Sequence, residues 1–247
     1  MTSLHSKVPA AFSVPEISYD EAIELAYFGA QVLHPSAMKP CVSNDIAIIV
    51  KNIMNPGFVG TRIGNKTHRP KASFEHRPLS EVEAEGPVKC ITSMDRIAMV
   101  DVRARSWASV TKVGHKVLGA LDSANIKVVL VTQASSEHSI SVAIDESSSG
   151  AAVAVLRAAF ELELARGDIS SVKAHTGFSM FTVVGPMRGV KGTIKKLIDG
   201  VTASGANISA VAQGSSEQSI SVILSEGDLV PAMVAVHAEF LDGKDAL

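Results

Sequence analysis

The residues best suited to hold a ligand stand in Gly185-Pro-Met-Arg-Gly-Val-Lys-Gly192, between a strand-like and a helix-like run. Glycines let the backbone come close to a ligand, and a helix start offers unpaired amides with a partial positive charge. That chemistry suits a carboxylate. Asn207 and Gln213 bracket the next apolar run, and their side-chain amides both donate and accept, which suits a bound amino acid. The candidate contacts are therefore Gly189, Val190, Lys191, Gly192, Asn207 and Gln213. Against this stands a plainer reading: glycine-rich turns between strand and helix are common, and Gln213 also fits a simple strand cap.

Other chemistry is poorly supported. Two Ser-Ser-Glu triplets, at 135–137 and 215–217, suggest a nucleophile, but the nearby His138 is replaced by Gln218 after the second, so no serine–histidine pair recurs. Their hydroxyls suit the local backbone of a turn. There is no phosphate-cradling P-loop and no dinucleotide fingerprint. The 8 histidines are scattered without a metal pattern, and Cys41 and Cys90 have neither metal-ligand spacing nor a disulfide framework. No catalytic residue and no metal site is expected.

The elements that must position these residues are written twice. Gln133-Ala-Ser-Ser-Glu-His-Ser-Ile-Ser-Val142 returns 80 residues later as Gln213-Gly-Ser-Ser-Glu-Gln-Ser-Ile-Ser-Val222. A repeat of this length marks one small unit built twice. It also makes Gln133 the counterpart of Gln213. Copy one reads as strand 91–102, helix 110–124, strands 126–133 and 139–144, and helix 150–166. Copy two reads as strand 179–184, helix 190–204, strands 208–213 and 219–224, and helix 228–241, with an extra strand at 172–174. This is the βαββα alternation of ferredoxin-like domains in an α+β fold, with helices on one sheet face only. The other face, and any edge strand, needs a partner.

The 247 residues accommodate two or three small domains. Apolar residues make up 46% and aromatics only 4%, so the core must be aliphatic. A formal net charge of −2 gives no electrostatic case for nucleic acid. No apolar run reaches the ~20 residues that span a bilayer, and the N-terminus is a poor signal peptide, so a cytoplasmic protein is expected. Residues 1–16 read as a loose lead-in. Ser18-Tyr-Asp-Glu21 fits a capping box, followed by Ile23, Ala26, Tyr27 and Ala30 at helical spacing, with Gly29 a weak point that permits close packing. His34-Pro35 breaks that pattern, Ile46 to Val50 reads as a strand buried on both faces, and Asn55-Pro-Gly57 marks a turn. Residues 65–87, basic and proline-rich and then acidic, read as a solvated linker.

Two N-terminal segments carry a family likeness. Ile17-Ser-Tyr-Asp-Glu-Ala-Ile-Glu-Leu-Ala-Tyr-Phe-Gly-Ala-Gln-Val-Leu-His-Pro35 resembles the late part of the aspartokinase catalytic domain. Ile48-Ile-Val-Lys-Asn-Ile-Met-Asn-Pro-Gly-Phe-Val-Gly-Thr61 is similar to the strand and turn that close it. The duplicated region resembles that family's tandem ACT regulatory domains, closest in style to threonine-sensitive bifunctional aspartokinase–homoserine dehydrogenases. The organisation this implies is a catalytic-domain remnant at 17–64, a linker at 65–87, and ACT domains at 88–170 and 171–247. The family's Lys-Phe-Gly-Gly-Ser-type opening is not found, and Gln31 stands where the family has a nucleotide-contacting lysine. ATP and Mg are thus implied by resemblance only. Copy two keeps the family's Gly185, Gly189, Gly192, Asn207 and Gln213. Copy one has Arg103, Arg105, Ser106, Trp107, Ser109 and Lys112 in its loop and Lys127 in place of the asparagine, which reads as drift.

The expectation is a regulatory chain that senses threonine, or failing that lysine, chiefly at copy two. It would work as a homodimer or with an aspartokinase catalytic chain, and would be catalytically inactive alone. The alternatives are part of an active aspartate kinase completed by another chain, and a ligand-free dimerisation module.

Overall fold

The computed structural model describes residues 2–30, 33–65, 86–105, 110–133 and 139–242. Gln31, most of the 65–87 linker, Ser106, Trp107, Ser109 and the first Ser-Ser-Glu triplet lie outside the described residues. The chain divides into two compact units, unit one comprising 1–94 and 180–247 and unit two 95–179.

Unit two holds copy one. Its strands are β4 (Cys90–Ala104, from residue 95 on), β5 (Val128–Thr132), β6 (Ser139–Asp145) and the first part of β7 (Ile169–Val184). The sheet order β5-β6-β4-β7 is that of a ferredoxin-like domain whose fourth strand follows its second helix. Helices α3 (Val110–Ser123), α4 (Ser149–Ala159) and α5 (Glu161–Arg166) accompany it. The expected single helix over 150–166 is two, separated at Phe160, whose ring is buried in the core. Val100, Val102, Val142 and Ile144 meet Val117, Leu121, Ala152 and Leu156 in one aliphatic core. Alternation along each strand sends Asp101, Arg103 and Ser141 to the opposite face.

Unit one holds copy two: the end of β7, β8 (Ile208–Gln213), β9 (Ser219–Ser225), α6 (Thr193–Ala203) and α7 (Leu229–Leu241). Its fourth strand is the start of β4, in the order β4-β7-β9-β8, and Lys89 N donates to the Val184 carbonyl at 2.9 Å. The copy boundary therefore lies within β4 and β7, whereas sequence reading drew it at 88 and 170. The separate strand expected at 172–174 is fused with 179–184 into β7, which passes Gly177 at φ +80°. Phe181, Val183, Val222, Leu197, Val236 and Phe240 form the core.

The N-terminal segment belongs to unit one and is not a loose lead-in. Val8 is buried in the copy-two core, with Ala11 and Phe12 packed against it. Thr2 Oγ1 lies 2.9 Å from His237 Nε2, and Phe12 N donates to the same oxygen. The capping box at Ser18 and Glu21 is present and starts α1 (Tyr19–Tyr27). This helix stops before Ala30. Gly29, at φ +103°, lies beyond its end, where a Cβ would stand 2.7 Å from the Ser93 carbonyl. Proline then opens α2 (Pro35–Asn44).

A small sheet, β1-β3-β2, pairs Glu16–Ile17, Thr61–Ile63 and Ile48–Val50. The strand expected to be buried on both faces is instead its edge: Ile46 is 56% and Ile49 63% exposed. With only one neighbouring strand among the described residues, it has little to pack against. The segment leans on copy two, since Tyr19, Ala22, Ile63 and Met38 cluster with Cys90 of β4. Burial pushes the Cys90 thiol up to about 12, which keeps it protonated and inert.

Candidate functional site

The glycine string of copy two leaves β7 at Val184 and reaches α6 at Thr193. Gly185 needs its missing side chain, because a Cβ would stand 2.4 Å from the Pro87 carbonyl. Gly189 and Gly192 both take positive φ, and Gly192 is the N-cap of α6 with no side-chain cap bond. The helix start is thus bare of a capping side chain.

The loop already binds a carboxylate. Gly189 N donates to Glu217 Oε2 at 3.1 Å. Glu217, itself at φ +52°, closes a turn by donating its own amide to the Gly214 carbonyl. In sequence the Ser-Ser-Glu triplet reads only as a turn, and the structure adds this carboxylate role for Glu217. The signal was available, as Glu217 is a repeated acidic residue five positions before Val222 in a strand that must return beside the loop. Gly185 N donates to the Gln218 carbonyl at 3.0 Å, fixing the turn against the loop.

Gln213 ends β8 at this same end of the sheet, paired in register with Ile220. Asn207 does not join it. It precedes Ile208 at the other end of a six-residue strand, about 20 Å away at the usual rise per residue. Both side chains are exposed, and β8 is an edge strand. One small ligand in one copy therefore cannot touch both. In copy one, Gln133 follows β5 and is exposed, while its loop and triplet fall outside the described residues. The edge strands carry matching exposed valines 80 apart, Val131 at 43% and Val211 at 38%.

Among the described residues no three His, Cys, Asp or Glu side chains could hold a metal ion, and no helix is long and apolar enough to cross a membrane.

Comparison with known proteins agrees with this architecture. The ACT domain family matches residues 104–160 and 181–240, and the amino acid kinase family matches 1–52. The maize chloroplastic bifunctional aspartokinase/homoserine dehydrogenase 1 is 33% identical over 243 residues, 98% of this chain and 25% of that protein. The chain belongs to the aspartokinase family. The Haemophilus influenzae bifunctional aspartokinase/homoserine dehydrogenase is likewise 33% identical to this aspartokinase-family chain, over 96% of it and 28% of the relative. The chain thus spans about a quarter of the length of the curated relatives it matches. The Clostridium acetobutylicum aspartate kinase shares the fold with a TM-score of 0.79 at 23% identity, over 97% of this chain and 52% of that one. The ligand-free regulatory subunit of the Thermus thermophilus aspartate kinase matches 62% of this aspartokinase-family chain, with a TM-score of 0.52 and 21% identity.

Proposed function

We propose that this chain is the regulatory, amino-acid-sensing portion of an aspartokinase, responding to threonine or, failing that, lysine. The observation that carries the reading is the Gly189 amide holding the Glu217 carboxylate beside an uncapped helix start. A loop that takes one carboxylate is chemically suited to take the α-carboxylate of an amino acid. Gln213 lies at the same end to meet the remaining polar groups. An Escherichia coli aspartokinase III of like fold is described in complex with lysine and aspartate, which supports an amino-acid effector here.

The distance between Asn207 and Gln213 supports a paired site. Two β8 edges meeting antiparallel about a two-fold axis would bring Asn207 of one copy opposite Gln213 of another. Exposed Val211 would be covered in the same step. Effector binding at that junction would favour one assembly geometry over another and so communicate with a kinase domain. Cys41 and Cys90 are both free, in keeping with a reducing, cytoplasmic setting.

Titration calorimetry with threonine and lysine tests the reading. Losing one partner of a buried hydrogen bond costs about 1–3 kcal/mol, so Gln213→Ala should weaken binding roughly 5- to 150-fold. Gln133→Ala should do less. Equal losses would mean a site shared between copies, and a larger loss at Gln133 would place the effector in copy one.

A second reading, part of an active aspartate kinase completed by another chain, is favoured by the kinase-family match over 1–52. Its reaction would carry the ATP γ-phosphoryl group to the aspartate β-carboxylate. The purified chain alone should give no ATP- and aspartate-dependent phosphotransfer; turnover would decide for the kinase reading.

A further inference from the structure

The face of the copy-one sheet that its helices leave open carries a small pocket of about 120 Å³, lined by Asp101, Arg103, Ser171, Lys173 and His175. Strand β4 brings the first two and β7 the other three. The only carboxylate among these is already engaged. Asp101 Oδ1 accepts from the Ser141 hydroxyl at 2.5 Å, and Oδ2 lies 3.5 Å from His175 Nε2. The two permanent cations are not. Among the described residues neither the Arg103 guanidinium nor the Lys173 ammonium has an ion-pair or hydrogen-bond partner. The pocket's unused capacity is for an anion.

The repeat supplies an independent observation. On the same face of copy two, carboxylates are delivered by the chain itself. Ser219, the counterpart of Ser139, donates to Glu24 Oε2 at 2.8 Å, and Lys89 Nζ donates to Glu21 Oε2 at 3.0 Å. Both acids come from α1. The open face of this repeated fold thus receives carboxylates where its occupant is visible. Among the described residues the copy-one face presents the exposed cations Arg103 and Lys173 instead.

We propose that the copy-one pocket binds a small carboxylate anion from solution. Arg103 would hold it with a planar pair of N–H donors, Lys173 as a point charge, and Ser171 by its hydroxyl. Asp101 and Ser141 would orient His175 at the rim. The volume admits a ligand of a few heavy atoms, far below the ~300 Å³ where drug-sized sites begin. This gives a task to Arg103, which in sequence belongs to a basic string that reads as drift. The proposal does not rest on the effector reading of the glycine loop, and it uses none of that loop's residues.

The test is titration calorimetry on the full chain at low ionic strength with succinate as probe, and with inorganic phosphate and threonine in parallel. Succinate should bind saturably, and Arg103→Gln and Lys173→Gln should each weaken it at least about tenfold. Both side chains are exposed, so the variants should fold as the parent does. Added salt should weaken binding, because exposed charges are screened. Gln213→Ala should leave succinate binding intact while reducing threonine binding, which separates failure of one site from failure of the other. Absence of saturable succinate binding, binding that both variants leave unchanged, or preference for phosphate over succinate would each overturn the proposal.

Discussion

Copy one and copy two share an order of elements and differ in what meets the sheet face that their helices leave bare. In copy two, α1 lies on that face. Glu21 reaches Lys89, Glu24 reaches Ser219, and Thr92 Oγ1 donates to the Phe28 carbonyl at 3.2 Å. Thr182 and Ser221 are bonded to one another at 2.8 Å, both buried. In copy one the register partners of that pair are Asp101 and Ser141, and Arg103, Lys173 and His175 stand exposed around them. The comparison teaches that a duplicated surface diverges with its covering. Under α1 the hydroxyls and the Lys89 ammonium are satisfied by partners within the chain, whereas on the wetter face of copy one the Arg103 and Lys173 cations stand exposed.

The strongest way to break this comparison is at Glu21. Its carboxylate serves both the Ser18 amide and Lys89, and the side chains of Lys89 and Glu21 are only 11% and 5% exposed. Glu21→Ala leaves a buried ammonium unpaired and should cost about 3–5 kcal/mol. Asp101→Ala, on the wet face of copy one, should cost less than about 1 kcal/mol. Urea denaturation of the two variants decides it, and equal losses would show that α1 does not anchor copy two.

A milder comparison uses the matched hydroxyls. Thr182→Val strands the Ser221 hydroxyl in a dry site and should cost about 1–3 kcal/mol. Ser141→Ala leaves an Asp101 carboxylate that is 22% exposed, and water can replace the lost donor for under about 1 kcal/mol. If the copy-one variant proves the more damaging, its face is drier than the exposures indicate.

The smallest effect concerns pH. His237 of copy two is 1% exposed, and burial lowers its pKa from the ordinary 6.5. The unfolded chain therefore takes up the proton before the folded one does. Stability from the neutral ring is complete above 6.5 and is lost as pH falls below that value toward the folded pKa. Its counterpart 80 residues earlier is Arg157, a fixed charge. Thermal melts at about pH 7.5 and about pH 5.5 should show a larger drop for the parent than for His237→Gln. Identical drops would remove His237 as the source.

Local features were the legible ones. The capping box at Ser18, strand 208–213 and the paired copies follow from spacing and self-similarity, because each depends on neighbours close in sequence. Features set by distant partners are harder to read. Ile46 to Val50 has the apolar run of a buried strand, yet burial depends on neighbours that periodicity does not report. Glu217 reads in sequence as turn chemistry, and its partner Gly189 lies 28 residues away. The strand expected at 172–174 and that at 179–184 are one, because a positive φ at Gly177 can sit inside a bent strand. Asn207 and Gln213 read in sequence as the two ends of one strand, and the six residues of β8 set the distance between them.

The interleaving of β4 and β7 bears on how this repeat can be cut and reused. Copy one is an insertion: the chain leaves unit one at Met94 and re-enters it at Met180. Those two residues lie on adjacent strands, which run about 4.8 Å apart. A short turn could therefore close the gap and leave unit one with every strand it has now. A cut at the apparent seam near residue 170 would instead deprive copy two of the strand that flanks β7. The first module is thus bounded by two neighbouring points of the chain, whereas the second draws one of its strands from the segment before the first.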